Sequence, residues 1–95
     1  MPGDDAELLA LAARWTVGRD RGQAEALWTE ILDRHPDAPS APAAALALAR
    51  SAIARSDLSV AQHRLEDMIL RYPDSALLPE ARRELDRVRG LVPRS

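Results

Sequence analysis

One stretch of the chain occurs twice. Asp57 to Pro73, DLSVAQHRLEDMILRYP, repeats Asp20 to Pro36, DRGQAEALWTEILDRHP, at a distance of 37 residues. Asp57, Ala61, Arg71, Pro73 and Asp74 fall on Asp20, Ala24, Arg34, Pro36 and Asp37. A fixed period of this size marks a helical repeat, in which no unit buries its apolar face alone and stacking supplies the core. In the second copy Val60, Ala61, Leu65, Met68, Ile69 and Tyr72 recur at helical spacing. Arg64, Glu66, Asp67 and Arg71 take the other face.

The rest of the chain extends the same pattern. Met1 to Gly3 are expected to fray, and Asp4 or Asp5 to cap a first helix ending near Thr16. That helix is apolar on almost every side, so it expects neighbours on more than one side. Val17 to Arg19 read as a turn with Gly18 as the exit, and Asp20 with Gln23 has the spacing of a capping box. The second helix should run to about Arg34 and bury Ala24, Leu27, Trp28, Ile31 and Leu32. Pro36 stops it, and PDAPSAP connects it to a third, Ala43 to about Arg55, with Ser40 as its cap. Asp57 should cap the fourth helix. Asp74 and Ser75 should start a fifth, through Ala81, Leu85 and Val88, whose charged surface suits the closing element of an array. Trp15 and Trp28 are both expected in the core, where loss of either would cost about 3–5 kcal/mol.

Composition narrows the function. With 95 residues, 13 basic and 15 acidic, the chain makes one near-neutral domain without the one-sided basic excess of a nucleic-acid binder. No cysteine means no disulfide and no thiolate metal site. No apolar run approaches the ~18 residues of a membrane span, so no membrane insertion is expected. The acidic start MPGDDAELLALAAR lacks the features of a signal peptide, which reads as cytoplasmic. The ending LVPRS resembles a thrombin-site remnant. On that reading residues 91–95 are a tag, the chain is an excised fragment, and a periplasmic origin is open.

Chemistry is sparse. His35 and His63 are the only histidines and share no ligand spacing, so no metal and no cofactor are expected. Ser51 or Ser56 with His63 has no nucleophile elbow to support a triad. Glu66-Asp67 reads as a solvated face, and the four scattered glycines make no phosphate loop. The chain reads as non-enzymatic.

The pattern resembles the tetratricopeptide repeat, a helix pair of about 34 residues. Ala24 and Ala61 match its small position, Trp28 and Leu65 its large apolar position, and Pro36 and Pro73 its closing proline. Leu11-Ala12 and Leu48-Ala49 match its Leu-Gly step, and Trp15 its aromatic position. Ala45 and Ala52 depart from it. The longer link, Tyr72-Pro73-Asp74-Ser75 followed by Ala81 and Leu85, is similar to the variant in bacterial envelope proteins of the outer-membrane assembly lipoprotein and Tol-Pal coordinator type. The resemblance implies an all-α, right-handed solenoid spanning 5–90: one repeat at about 5–38, another at about 42–75, and a capping helix at 76–90. It also implies a concave groove. Carried across, its positions are Ala6, Leu9, Ala10 and Ala13; Leu46, Ala47, Arg50 and Ile53; and Arg83 and Arg87. The family's carboxylate clamp is missing, since Leu9, Ala13, Leu46 and Arg50 stand where it needs Lys and Asn. The expectation is a non-catalytic adaptor that buries Leu9, Leu46 and Ile53 under a helical or extended protein segment, with arginines orienting it. The alternative is a homo-oligomeric assembly unit whose groove is filled by a second copy.

Overall fold

Five helices follow one another: α1 (Asp5–Thr16), α2 (Arg21–Arg34), α3 (Ala41–Ala54), α4 (Leu58–Arg71) and α5 (Leu78–Leu91). They come from a computed structural model of the chain that describes residues 5–16 and 19–91, with the Asp5 side chain outside the description. The expectations for Met1 to Asp4, for Val17 and Gly18 and for Val92 to Ser95 lie outside these residues. Among the described residues there is no strand, and the fold class is all-α. The sequence period carries through to the helices. Both ends of α4 lie 37 residues after those of α2, and both ends of α5 lie 37 after those of α3. Residue 91 therefore ends α5 as its last helical residue.

Local chemistry accounts for most boundaries. Asp20 is extended (φ −146°, ψ 97°), and its carboxylate accepts the Gln23 N–H at 3.1 Å, one half of the anticipated box. Pro42 fits the first turn of α3, where no N–H is needed. Four expectations shift, the first being that α3 begins at Ala41 rather than Ala43. Ser40 and Asp57 precede their helices but make no side-chain cap bond. The fifth helix begins at Leu78, because Ser75 organises a turn instead: its hydroxyl accepts the Leu77 N–H at 3.1 Å, and its carbonyl accepts the Leu78 N–H.

The α3–α4 link is the tightest. Ser56 sits at φ 61°, its N–H donates to the Ile53 carbonyl at 2.9 Å, and the Asp57 N–H donates to Ala52 at 2.8 Å. This is a Schellman end with serine where glycine is cheapest.

Each helix packs on its sequence neighbours: α1 on α2, α2 on α3, α3 on α4 and α4 on α5. The body measures 50 × 31 × 18 Å, so it is about two helix diameters thick. α3 lies at the centre. Its buried residues are Ala41, Ala44, Ala45, Leu46, Leu48, Ala49, Ser51 and Ala52. The bulk around them comes from Trp28, Ile31 and Leu32 of α2, Leu65 and Met68 of α4, and Leu85 and Val88 of α5. Tyr72 ties the two repeats together at their closing prolines, its hydroxyl donating to the Pro36 carbonyl at 2.8 Å.

Two outcomes follow from these contacts. Ser56→Gly should stabilise the fold by up to about 1 kcal/mol, read from denaturant midpoints, since it relieves a left-handed backbone. Burial raises the Tyr72 pKa above 10.0; the Arg71 charge opposes this, while Asp37 and Asp67 reinforce it. The neutral phenol is favoured in the fold, so its contribution is complete below pH 10.0 and lost as pH rises through the raised value. Tyr72 is the only tyrosine in the chain. Absorbance titration should therefore show one phenol ionising later in the native than in the unfolded protein, and Tyr72→Phe should remove the alkaline loss of stability.

Candidate interaction surface

One concavity lies where α3 meets α2 and the start of α5. Arg21 and Trp28 come from α2, Ala43, Leu46, Ala47, Arg50 and Ser51 from α3, and Leu77 and Glu80 from the α5 end. They enclose about 360 Å³. The α3 residues recur at three- and four-residue steps, which places them on one side of the helix. Trp28 (9% exposed) and Leu46 (3%) form the floor, with Ala47 and Leu77 half-buried beside them. Arg50 and Glu80 also border an adjoining hollow completed by Arg83, Glu84 and Arg87.

Arginine governs the electrostatics here, and every basic residue of the chain is an arginine. Arg50 meets Glu80 at 3.1 Å and Glu84 at 4.0 Å, and Arg87 meets Glu84 at 3.7 Å. Four guanidinium groups (Arg21, Arg50, Arg83 and Arg87) thus surround two carboxylates. That is a local positive excess in a chain whose net charge is −2. One wall is pinned by a polar cluster. Ser51, 1% exposed, donates to Glu25, whose other oxygen accepts from Arg55 at 2.9 Å, while Arg21 donates to the Ser51 hydroxyl at 3.4 Å. The cluster fastens α2 to α3 and holds the Arg21 guanidinium at the rim.

The groove positions carried over from the resemblance divide among different places. Leu46, Ala47 and Arg50 come together in the first hollow, and Arg50, Arg83 and Arg87 in the second. Ala6 and Ala13 are wholly buried, and Leu9 and Ala10 are half-buried against the core. Leu9 borders a separate depression between α1 and α2, with Leu8, Ala12, Glu30, Arg34 and His35. Ile53 packs half-buried against the core and lines neither arginine-rimmed hollow. Leu46 is already covered by its own chain, so a charge placed there would break the core before it reached a partner. Arg21, Trp28, Leu77 and Glu80 were not anticipated as lining. They converge from separate elements, and no local sequence signal marks that convergence.

The expectation of a buried Trp15 is overturned, since its side chain is 76% exposed. The cause is the rotational setting of α1. The helix meets α2 through Ala6, Ala10 and Ala13, whose small side chains allow close approach, together with Leu9. Leu8, Leu11, Ala12 and Trp15 are thereby sent to the opposite side. The 37-residue register makes the consequence plain. The equivalent residues of α3 are Ala45, Leu48, Ala49 and Ala52, all buried. In α5 they are Arg82, Leu85, Asp86 and Arg89, which line an open groove of about 570 Å³ against Glu66, Ile69 and Leu70. The set is apolar and covered in α3; in α5 three of the four are charged and Leu85 is buried; in α1 all four are apolar and exposed.

Among the described residues no group of three or more His, Asp or Glu is arranged to hold a metal, and no helix is long and apolar enough to cross a membrane. Comparison with known proteins found no matching family model, no matching curated protein and no matching solved structure.

The two tryptophans should behave oppositely on truncation. Trp28→Ala should cost about 3–5 kcal/mol, enough to leave so small a domain largely unfolded. Trp15→Ala should move the urea midpoint by no more than ~0.5 kcal/mol equivalent. Equal losses would contradict the packing described.

Proposed function

We propose that the chain is a non-catalytic protein-interaction module of tetratricopeptide-repeat type, an adaptor that takes up an acidic, apolar polypeptide segment between α2, α3 and α5. The observation carrying this reading is the hollow over Trp28, Leu46, Ala47 and Leu77 with Arg21 and Arg50 at its rim and Arg83 and Arg87 beyond. Apolar concavities with a few oriented polar groups are where proteins receive ligands. Guanidinium forks match carboxylates in a bidentate way that compact ammonium groups do not. An amphipathic helix would seat its apolar side chains on the floor and turn acidic ones toward the arginines, as in helix-in-groove recognition generally.

The test uses two designed amphipathic peptides of about four helical turns, one of leucine and glutamate, the other of leucine and lysine. Calorimetry should find the acidic peptide bound at least about tenfold more tightly, a difference of ~1.4 kcal/mol. Arg83→Glu should narrow that preference. Ala43→Glu, at an exposed residue of the hollow, should weaken the acidic peptide further while leaving helicity intact. Equal affinities for the two peptides, or no response to either substitution, would refute the assignment.

A further inference from the structure

We infer that Arg21 is the residue of the α2–α3–α5 hollow that receives a carboxylate of the bound segment, and that Arg55, outside the hollow, keeps it free to do so. This role rests on the reading of the hollow as a site for an acidic segment, and it names the side chain that recognises the acid.

Two guanidinium groups border the apolar floor, and their situations differ. Arg50 meets Glu80 at 3.1 Å and Glu84 at 4.0 Å, so a ligand carboxylate arriving there has to displace acids of the chain itself. Arg21 pairs with no acid among the described residues, where its one side-chain hydrogen bond goes to the Ser51 hydroxyl at 3.4 Å. The neighbour that would ordinarily neutralise it is Glu25, one turn further along α2. Glu25 is engaged elsewhere. One of its oxygens accepts from the Ser51 hydroxyl of α3, and the other accepts from Arg55 at the α3 C-cap, at 2.9 Å. The Glu25 side chain is only 16% exposed, so its choice of partner is less screened than that of a pair in open water.

Arg21, Glu25 and Arg55 bring two positive charges and one negative to this cluster. Arg55 takes up the negative one, and the surplus positive charge is left on Arg21, at a hollow floored by Trp28 and Leu46. Ser51 is 1% exposed and fixed by its bond to Glu25, so it orients the guanidinium before any ligand arrives. That lowers the ordering cost of binding, and the donors Arg21 has not spent suit the two oxygens of a carboxylate. Without Arg55, Glu25 would be left to pair with Arg21, and the hollow would lose its surplus charge.

The leucine–glutamate and leucine–lysine peptides test this by calorimetry on the full chain. Arg21→Gln should weaken the acidic peptide at least about tenfold, a difference of ~1.4 kcal/mol, without weakening the basic one. Arg50→Gln combined with Glu80→Gln removes one charge of each sign and should change the acidic affinity by less than about threefold. Arg55 lines neither arginine-rimmed hollow, yet Arg55→Gln should weaken the acidic peptide by about fivefold. Adding Glu25→Gln to Arg55→Gln should restore the affinity, which a loss of fold stability would not do. All variants should keep parental helicity. No acidic preference in the parent chain would refute the reading of the hollow, and the role of Arg21 with it. A parental preference that survives Arg21→Gln, or an Arg55→Gln variant that binds as the parent does or is not restored by Glu25→Gln, would overturn the present inference alone.

Discussion

Close approach of α3 to the helices on either side of it is the constraint on which the structure rests. Five of its eight buried residues are alanine, and they let α2 and α4 come near without large side chains from α3 itself. The cost is a thin supply of bulk. The core depends on a few large groups reaching in from neighbouring helices, notably Ile31, Leu65, Met68 and Trp28. In a domain this small each carries a large share of the stability, because marginal chains have little surface to hide.

Alanine surfaces are smooth, and smooth surfaces specify relative position poorly. Polar links supply what they lack. Ser51, Glu25 and Arg55 fix α3 against α2, Arg50 with Glu80 spans α3 and α5, and the Tyr72 hydroxyl holds one repeat's end to the other's. The first of these is half-sheltered from solvent, and the others sit near the surface, where ion pairs add little energy. Their effect is on register. Of these arginines Arg50 also borders the hollow, so it contributes both to the register and to the groove's charge.

The 37-residue register sets residues of different helices side by side. The positions of Leu8, Leu11, Ala12 and Trp15 are exposed in α1, covered in α3, and in α5 charged except for the buried Leu85.

Period, all-α class, helix count and most of the core were legible in the sequence, since helical spacing and proline stops act over a few residues. Asp20 capping α2 was readable for the same reason. Legibility ended where contacts span about thirty residues. The pairing of Arg50 with Glu80 and Arg55 with Glu25, and the convergence of Arg21, Trp28 and Leu77 on one hollow, exist only once helices are packed. Trp15 shows the limit most directly. Its spacing matched a core position, yet α1 is apolar on nearly every side, and a helix without a polar face does not dictate which side turns inward. By itself the sequence determined which segments are helices and how often they recur. Packing alone decided the rotation of α1 and the joining of distant arginines, because the energies that set them belong to pairs of helices.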